Sequence, residues 1–140
     1  MNGRFFLDTN VFVYSFDRSA PAKARKATEL IRRAVASGKG IVSYQVAQEF
    51  FNVALRRFAR PMTVAEAEQY LATVFRPLIA VHSSQALYAE GLRLSERYRL
   101  SWCDALIVAA VIEGQCNLLY TEDLQHGQRF EGVRVENPFR

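Results

Sequence analysis

The sequence is expected to fold as one α/β domain, a three-layer α/β/α sandwich around a central, mainly parallel sheet of four or five strands. Three observations point there. Short apolar runs alternate with longer stretches of helical period; one of those stretches, residues 105–112, is apolar on every face; and 140 residues, half of them hydrophobic, suit a single domain spanning 1–140 with its own core. Strands separated by helices require crossover connections, which make the sheet parallel and cover both its faces.

Residues 4–7, 41–43, 78–81 and 117–120 read as short buried strands, with 133–135 a weaker fifth. Over 20–37, Ala24, Ala27, Leu30, Ile31, Ala34 and Val35 share one helix face, Arg25, Lys26, Arg32 and Arg33 take the other, and Gly38 stops the helix. Over 44–58, Val46, Phe50 and Ala54 with Ala47, Phe51 and Leu55 form an apolar band. Gln45, Glu49, Asn52 and Arg56 are left on a polar stripe. Residues 63–75 repeat the pattern through Val64, Ala67, Leu71 and Val74, and 84–98 through Leu87, Gly91, Leu94 and Tyr98. Thr63 and Glu66 have capping-box spacing. The 105–112 helix, with Gly114 near its end, belongs at the centre.

Four acids stand at chain junctions. Asp8 ends the run Phe5-Phe6-Leu7, Glu49 follows the second strand within the next helix, Asp104 opens the central helix, and Asp123 follows the strand ending at Tyr120. In an open parallel sheet ligands bind beyond the carboxyl ends of the strands, so all four can face one crevice. Each also has an innocent reading: Asp8 or Asp104 as a helix cap, Glu49 as a solvated helix residue, Asp123 as part of a polar loop. The combination is harder to explain by caps alone. Two carboxylates ~4 Å apart repel by about 4 kcal/mol at an effective dielectric of ~20, a cost that protonation or a cation removes. Oxygen ligands without a paired histidine or cysteine favour Mg²⁺ or Mn²⁺ over zinc.

Other features bound the function. No apolar run approaches the ~20 residues that span a bilayer, and no signal-peptide region precedes Asp8, so the cytoplasm is the expected compartment. Cys103 and Cys116 are expected as core thiols rather than a disulfide, and His82 and His126 form no metal pair. Net charge is +4, and setting the four acids aside leaves 18 cations against 10 acids, a surface that attracts polyanions. Arg18, Arg56 and Arg57 are candidate phosphate contacts, with a solvated helix face as the plain alternative; Trp102 is expected to pack and His126 to sit in a surface turn before Gly127. A dinucleotide-binding glycine fingerprint and an Asp-x-Asp phosphatase motif are both missing after the first strand.

Leu7-Asp8-Thr9-Asn10, Gln48-Glu49-Phe50, Trp102-Cys103-Asp104-Ala105-Leu106-Ile107, Thr121-Glu122-Asp123-Leu124 and the final Asn137-Pro138-Phe139 together resemble the signature of PIN-domain ribonucleases. The likeness is greatest to the toxins of bacterial VapBC toxin-antitoxin pairs and covers nearly the whole length. The resemblance implies an acidic pocket of Asp8, Glu49, Asp104 and Asp123 holding Mg²⁺ or Mn²⁺, supported by Thr9, Asn10 and Thr121. It further implies hydrolysis of RNA phosphodiester bonds by metal-activated water, a cognate antitoxin partner and a homodimer. The alternative is a PIN-like RNA-binding or regulatory domain with little cleavage.

Overall fold

A computed structural model describes residues 3–140. Its order is β1 (Phe5–Leu7), α1 (Thr9–Tyr14), α2 (Pro21–Ser37), β2 (Gly40–Ser43), α3 (Tyr44–Ala54), α4 (Val64–Tyr70), a π-helical turn (Leu71–Phe75), α5 (Arg76–Leu78), β3 (Ile79–Val81), α6 (Gln85–Tyr98), α7 (Trp102–Glu113), β4 (Leu118–Tyr120), β5 (Arg129–Phe130) and β6 (Val133–Glu136). The strands form one sheet ordered β3-β2-β1-β4-β6-β5. All neighbours pair in parallel except β5 with β6. Every residue of β1 and β2 is buried, as a sheet covered on both faces requires. The α/β/α reading therefore holds, with one strand more than expected.

The extra strand is β5. It turns back onto β6 through Glu131 and Gly132, both at positive φ (48° and 91°), the backbone of a tight primed hairpin turn. Asparagine or aspartate usually precedes the glycine in such a turn; glutamate concealed it. Glu131 is held by Arg93, whose Nη1 and Nη2 donate to its two oxygens at 3.0 and 2.7 Å.

Helix α1 was not anticipated either, only a turn or cap at Asp8-Thr9-Asn10. Six residues are too few to display a periodic pattern, and its stability comes from packing: Val11 and Phe12 are buried, Phe12 against Phe75 (ring centroids 4.9 Å apart) and Phe50 (6.5 Å). Helix α3 ends at Ala54, short of the expected 58. The chain bends there so that Met62 N–H donates to the Ala54 carbonyl and Phe58 reaches Phe16 and Phe50. The 63–75 pattern starts with the expected capping box of Thr63 and Glu66, but it loosens into the π turn just before Pro77, which lacks an N–H to continue the ladder.

Helix α7 begins at Trp102, earlier than its apolar run suggested, because Ser101 Oγ accepts from Asp104 N–H at 3.2 Å and caps it. Its residues Ala105 to Val111 are all buried, and it packs on α6, β4 and β6. Starting there puts Cys103 at the rim. The expectation of two core thiols is corrected for Cys103, which is exposed; Cys116 is buried, and burial raises its thiol to about 11. Trp102 packs edge-to-face on Tyr88 yet stays partly exposed.

One contact sets how closely α2 lies on the sheet. A Cβ at Gly40 would stand 2.2 Å from the Ala34 Cβ, 2.7 Å from the Ala34 Cα and 2.9 Å from the Phe5 ring. Helix backbone cannot yield as a flexible side chain would. Gly40→Ala is expected to cost about 2 kcal/mol by overpacking, measured by denaturant unfolding; an unchanged midpoint would show that α2 sits farther from β2.

Candidate functional site

Sheet order reverses between β1 and β4: successive strands β1, β2, β3 run to one side, while β4 and β6 lie on the other. The crevice past the carboxyl ends of β1 and β4 is therefore the switch point at which such sheets bind ligands. Buried polarity concentrates on this rim. Asp8 follows β1, Ser43 ends β2 and Thr121 follows β4, and these are the buried polar residues among those described. Asp8 N–H donates to the Tyr120 carbonyl at 3.0 Å, closing the rim between the two strands.

A hydrogen-bond network ties the Asp8 and Glu49 side chains together here and reaches the backbone at Asp123 and beside Asp104. Asp8 accepts from Thr9 N–H on Oδ1 (2.7 Å) and from Thr121 Oγ1 on Oδ2 (2.8 Å). Thr9 Oγ1 donates to Glu49 Oε1 at 2.8 Å. Thr121 Oγ1 in turn accepts from Asp123 N–H (3.0 Å) and Asn10 Nδ2 (3.2 Å). The link to Asp104 runs through Gln45, whose Nε2 donates both to Glu49 Oε2 (3.1 Å) and to the carbonyl of Cys103 (3.2 Å). Thr9 and Thr121 thus bond to the acids directly, and Asn10 bonds to Thr121. Asp8 also caps α1, as the innocent reading expected.

Burial sets the electrostatics. Asp8 is 4% exposed, and burial pushes its carboxyl up to about 7; hydrogen bonds from Thr121 and Thr9 pull it down, while Asp123 and Glu49 push it up again. Asp123 is also raised, first by burial, against a hydrogen bond with Asn10, and further by Asp104 and Glu122. Each of these two acids registers the charge of others in the set, so the acids share one electrostatic site.

Two contributors were not singled out from sequence. Gln45 was visible only as a neighbour of Glu49 on the polar stripe; its tie to Cys103 spans 58 positions. The second is a clamp on the loop carrying Thr121 and Asp123. Glu122 accepts from Tyr14 Oη at 2.7 Å and Lys23 Nζ at 2.9 Å, while Tyr14 also packs on Phe139. Burial raises the Glu122 carboxyl, but the bonds from Lys23 and Tyr14 outweigh it and hold it below the ordinary range. Arg18, Arg56 and Arg57 are exposed, and His126 is an exposed turn residue whose Nδ1 accepts from Asn137 N–H.

Fold and site together define a parallel α/β protein with an acidic crevice at the switch point of its sheet. More narrowly, the chain belongs to the PIN domain family, whose profile matches residues 5–129. Its fold is similar to that of a toxin-antitoxin complex from Klebsiella pneumoniae, at 20% identity and TM-score 0.66 over 95% of this chain and 96% of that one. VapC20 of Mycobacterium tuberculosis, described as a sarcin-ricin loop cleaving toxin, is similar at 22% identity and TM-score 0.61 over 85% and 89%. FitAcB from Neisseria gonorrhoeae is similar at 16% identity and TM-score 0.63 over 96% and 98%. No curated protein matches.

Proposed function

We propose that this PIN domain is a divalent-metal-dependent endoribonuclease, the toxin of a toxin-antitoxin pair, acting as a homodimer and restrained by a cognate antitoxin. The observation that carries the catalytic part is the network that links the Asp8 and Glu49 side chains at the β1/β4 switch point and extends to the backbone of Asp123 and of Cys103, next to Asp104. The toxin role is supported by fold likeness to the Klebsiella complex, VapC20 and FitAcB. No described helix is long and apolar enough to cross a membrane.

The residues fit a hard cation. Every donor in the network is oxygen or amide, and the buried Asp8 is costly as an anion unless positive charge compensates it. Among the described residues no three histidine, cysteine, aspartate or glutamate side chains already stand as a ligand set. Asp104 and the exposed Asp123 would therefore have to turn inward toward Asp8 and Glu49. A bound Mg²⁺ or Mn²⁺ supplies an activated water and a Lewis acid at the phosphate.

The chain's own part is orientation and proton handling. Thr9 and Gln45 each take one oxygen of Glu49, fixing its plane. Thr121 aims Asp8 with its single proton and holds the Asp123 backbone with a lone pair. Asp123, once turned inward, would stand where it could accept a proton from an attacking water. RNA cleavage by the purified protein is expected in Mg²⁺ or Mn²⁺ and not in EDTA. RNA binding that persists in Mg²⁺ or Mn²⁺ without cleavage would favour a recognition domain instead.

A further inference from the structure

From the acidic crevice an open groove of 540 Å³ runs along α3, lined by Gln48, Glu49, Phe51, Asn52, Leu55 and Arg56. Glu49 belongs to both, so whatever lies in the groove also lies at the site. Glu49 and Asn52 stand three residues apart on one face of α3, and Arg56 lies in the turn just past its C-terminus. Asn52, Leu55 and Arg56 are exposed.

Arg56 and the adjacent Arg57, like Arg18, Arg60 and Arg129, have no ion pair among the described residues, and Arg56 is the cation that lines this groove. The groove is thus acidic at the crevice end and carries uncompensated guanidinium charge at the other. We infer that the groove along α3 carries the phosphodiester backbone of single-stranded RNA away from the crevice, with Arg56 gripping a phosphate and Asn52 positioning the strand.

This rests on the ribonuclease reading and adds the path of the substrate. A guanidinium binds a phosphate by charge and bidentate geometry, and the partly exposed Phe51 and Leu55 give the bases an apolar wall. Arg56 lies past the end of α3, seven residues along the chain from Glu49, so it contacts a phosphate beyond the one at Glu49. Its role is binding rather than the chemical step. A polypeptide in the groove would leave the lone arginine charge without a reason unless the peptide were acidic.

The test is binding of a labelled, random-sequence single-stranded RNA pool in Mg²⁺ at several NaCl concentrations, followed by anisotropy. Arg56→Ala is expected to weaken binding about 5–10-fold and to flatten the slope of log K against log salt by about 0.7, the share of one single-strand phosphate contact. Arg56→Lys keeps the slope because the charge remains. Asn52→Ala weakens binding less and leaves the slope unchanged. Arg129→Ala, exposed on β5 at the other edge of the sheet, is the reference. Cleavage by Arg56→Ala should show a raised KM with kcat retained. If Arg56→Ala and Arg129→Ala behave alike while the wild type binds RNA, the groove assignment is overturned and a polypeptide occupant is favoured; the ribonuclease reading then survives. A wild-type protein that neither binds nor cuts RNA overturns both.

Discussion

Asp104→Asn is expected to slow metal-dependent RNA cleavage about 10³-fold, some 4 kcal/mol of transition-state stabilisation, while the fold persists. The two readings of this residue differ most here. As an acid in the first turn of α7, Asp104 interacts with the helix dipole, a contribution of about 0.3–1 kcal/mol to stability and none to chemistry. As a member of the acidic set, it holds a cation that activates water. Asparagine is isosteric, and the Ser101 hydroxyl that caps α7 bonds the backbone of residue 104 rather than its side chain. The helix start therefore survives the change. Cleavage of RNA at saturating Mn²⁺ and thermal unfolding decide the matter together. A variant retaining more than about a tenth of wild-type cleavage would remove Asp104 from the site.

Between pH 5 and pH 8, without metal, wild-type stability should fall by about 3 kcal/mol relative to Asp8→Asn. Burial lifts the Asp8 carboxyl to about 7 in the folded chain, against about 3.9 when unfolded. Within that window the native state binds the extra proton, so stability declines as pH rises, most of it by pH 7. Roughly three units separate the two values, about 4 kcal/mol in total, of which about 1.5 is already lost at pH 5. Asparagine cannot ionise and escapes the decline. It does place an amide donor against either Thr9 N–H or the Thr121 hydroxyl, since Asp8 accepts on both oxygens. That mismatch costs about 1–3 kcal/mol at either pH and cancels in the comparison. Urea unfolding at the two pH values in EDTA measures it. Saturating Mg²⁺, at about 100 times Kd, should return about 2.7 kcal/mol to the wild type at pH 8 and far less to the variant. Parallel stability profiles would show that Asp8 is already ionised in the metal-free fold.

The acids could be located before any coordinates because each sits at a boundary that local pattern reveals: the end of an apolar run for Asp8 and Asp123, the polar stripe of a helix for Glu49, and the start of an all-apolar helix for Asp104. Short elements were harder. The six residues of α1 and two of β5 carry too little period to register, and both depend on distant partners, Phe50 and Phe75 for one and β6 for the other. Cys103 was misplaced for a related reason. It was expected in the core, but its exposure depended on where Ser101 began α7.

What the order of residues determined alone was the alternation of strands and helices and the presence of an acid at four of their junctions, because periodicity and chain boundaries are properties of neighbours. Which acids share a hydroxyl, and which amide ties them, was decided only when the sheet reversed direction at β1 and β4. Pairing of β1 with β4 brings Thr121 to Asp8 across 113 positions, and pairing of β1 with β2 brings Glu49 to Thr9 across 40. Burial of Asp8, and with it the lifted proton affinity, exists only once both strands and their covering helices have excluded water from one carboxylate.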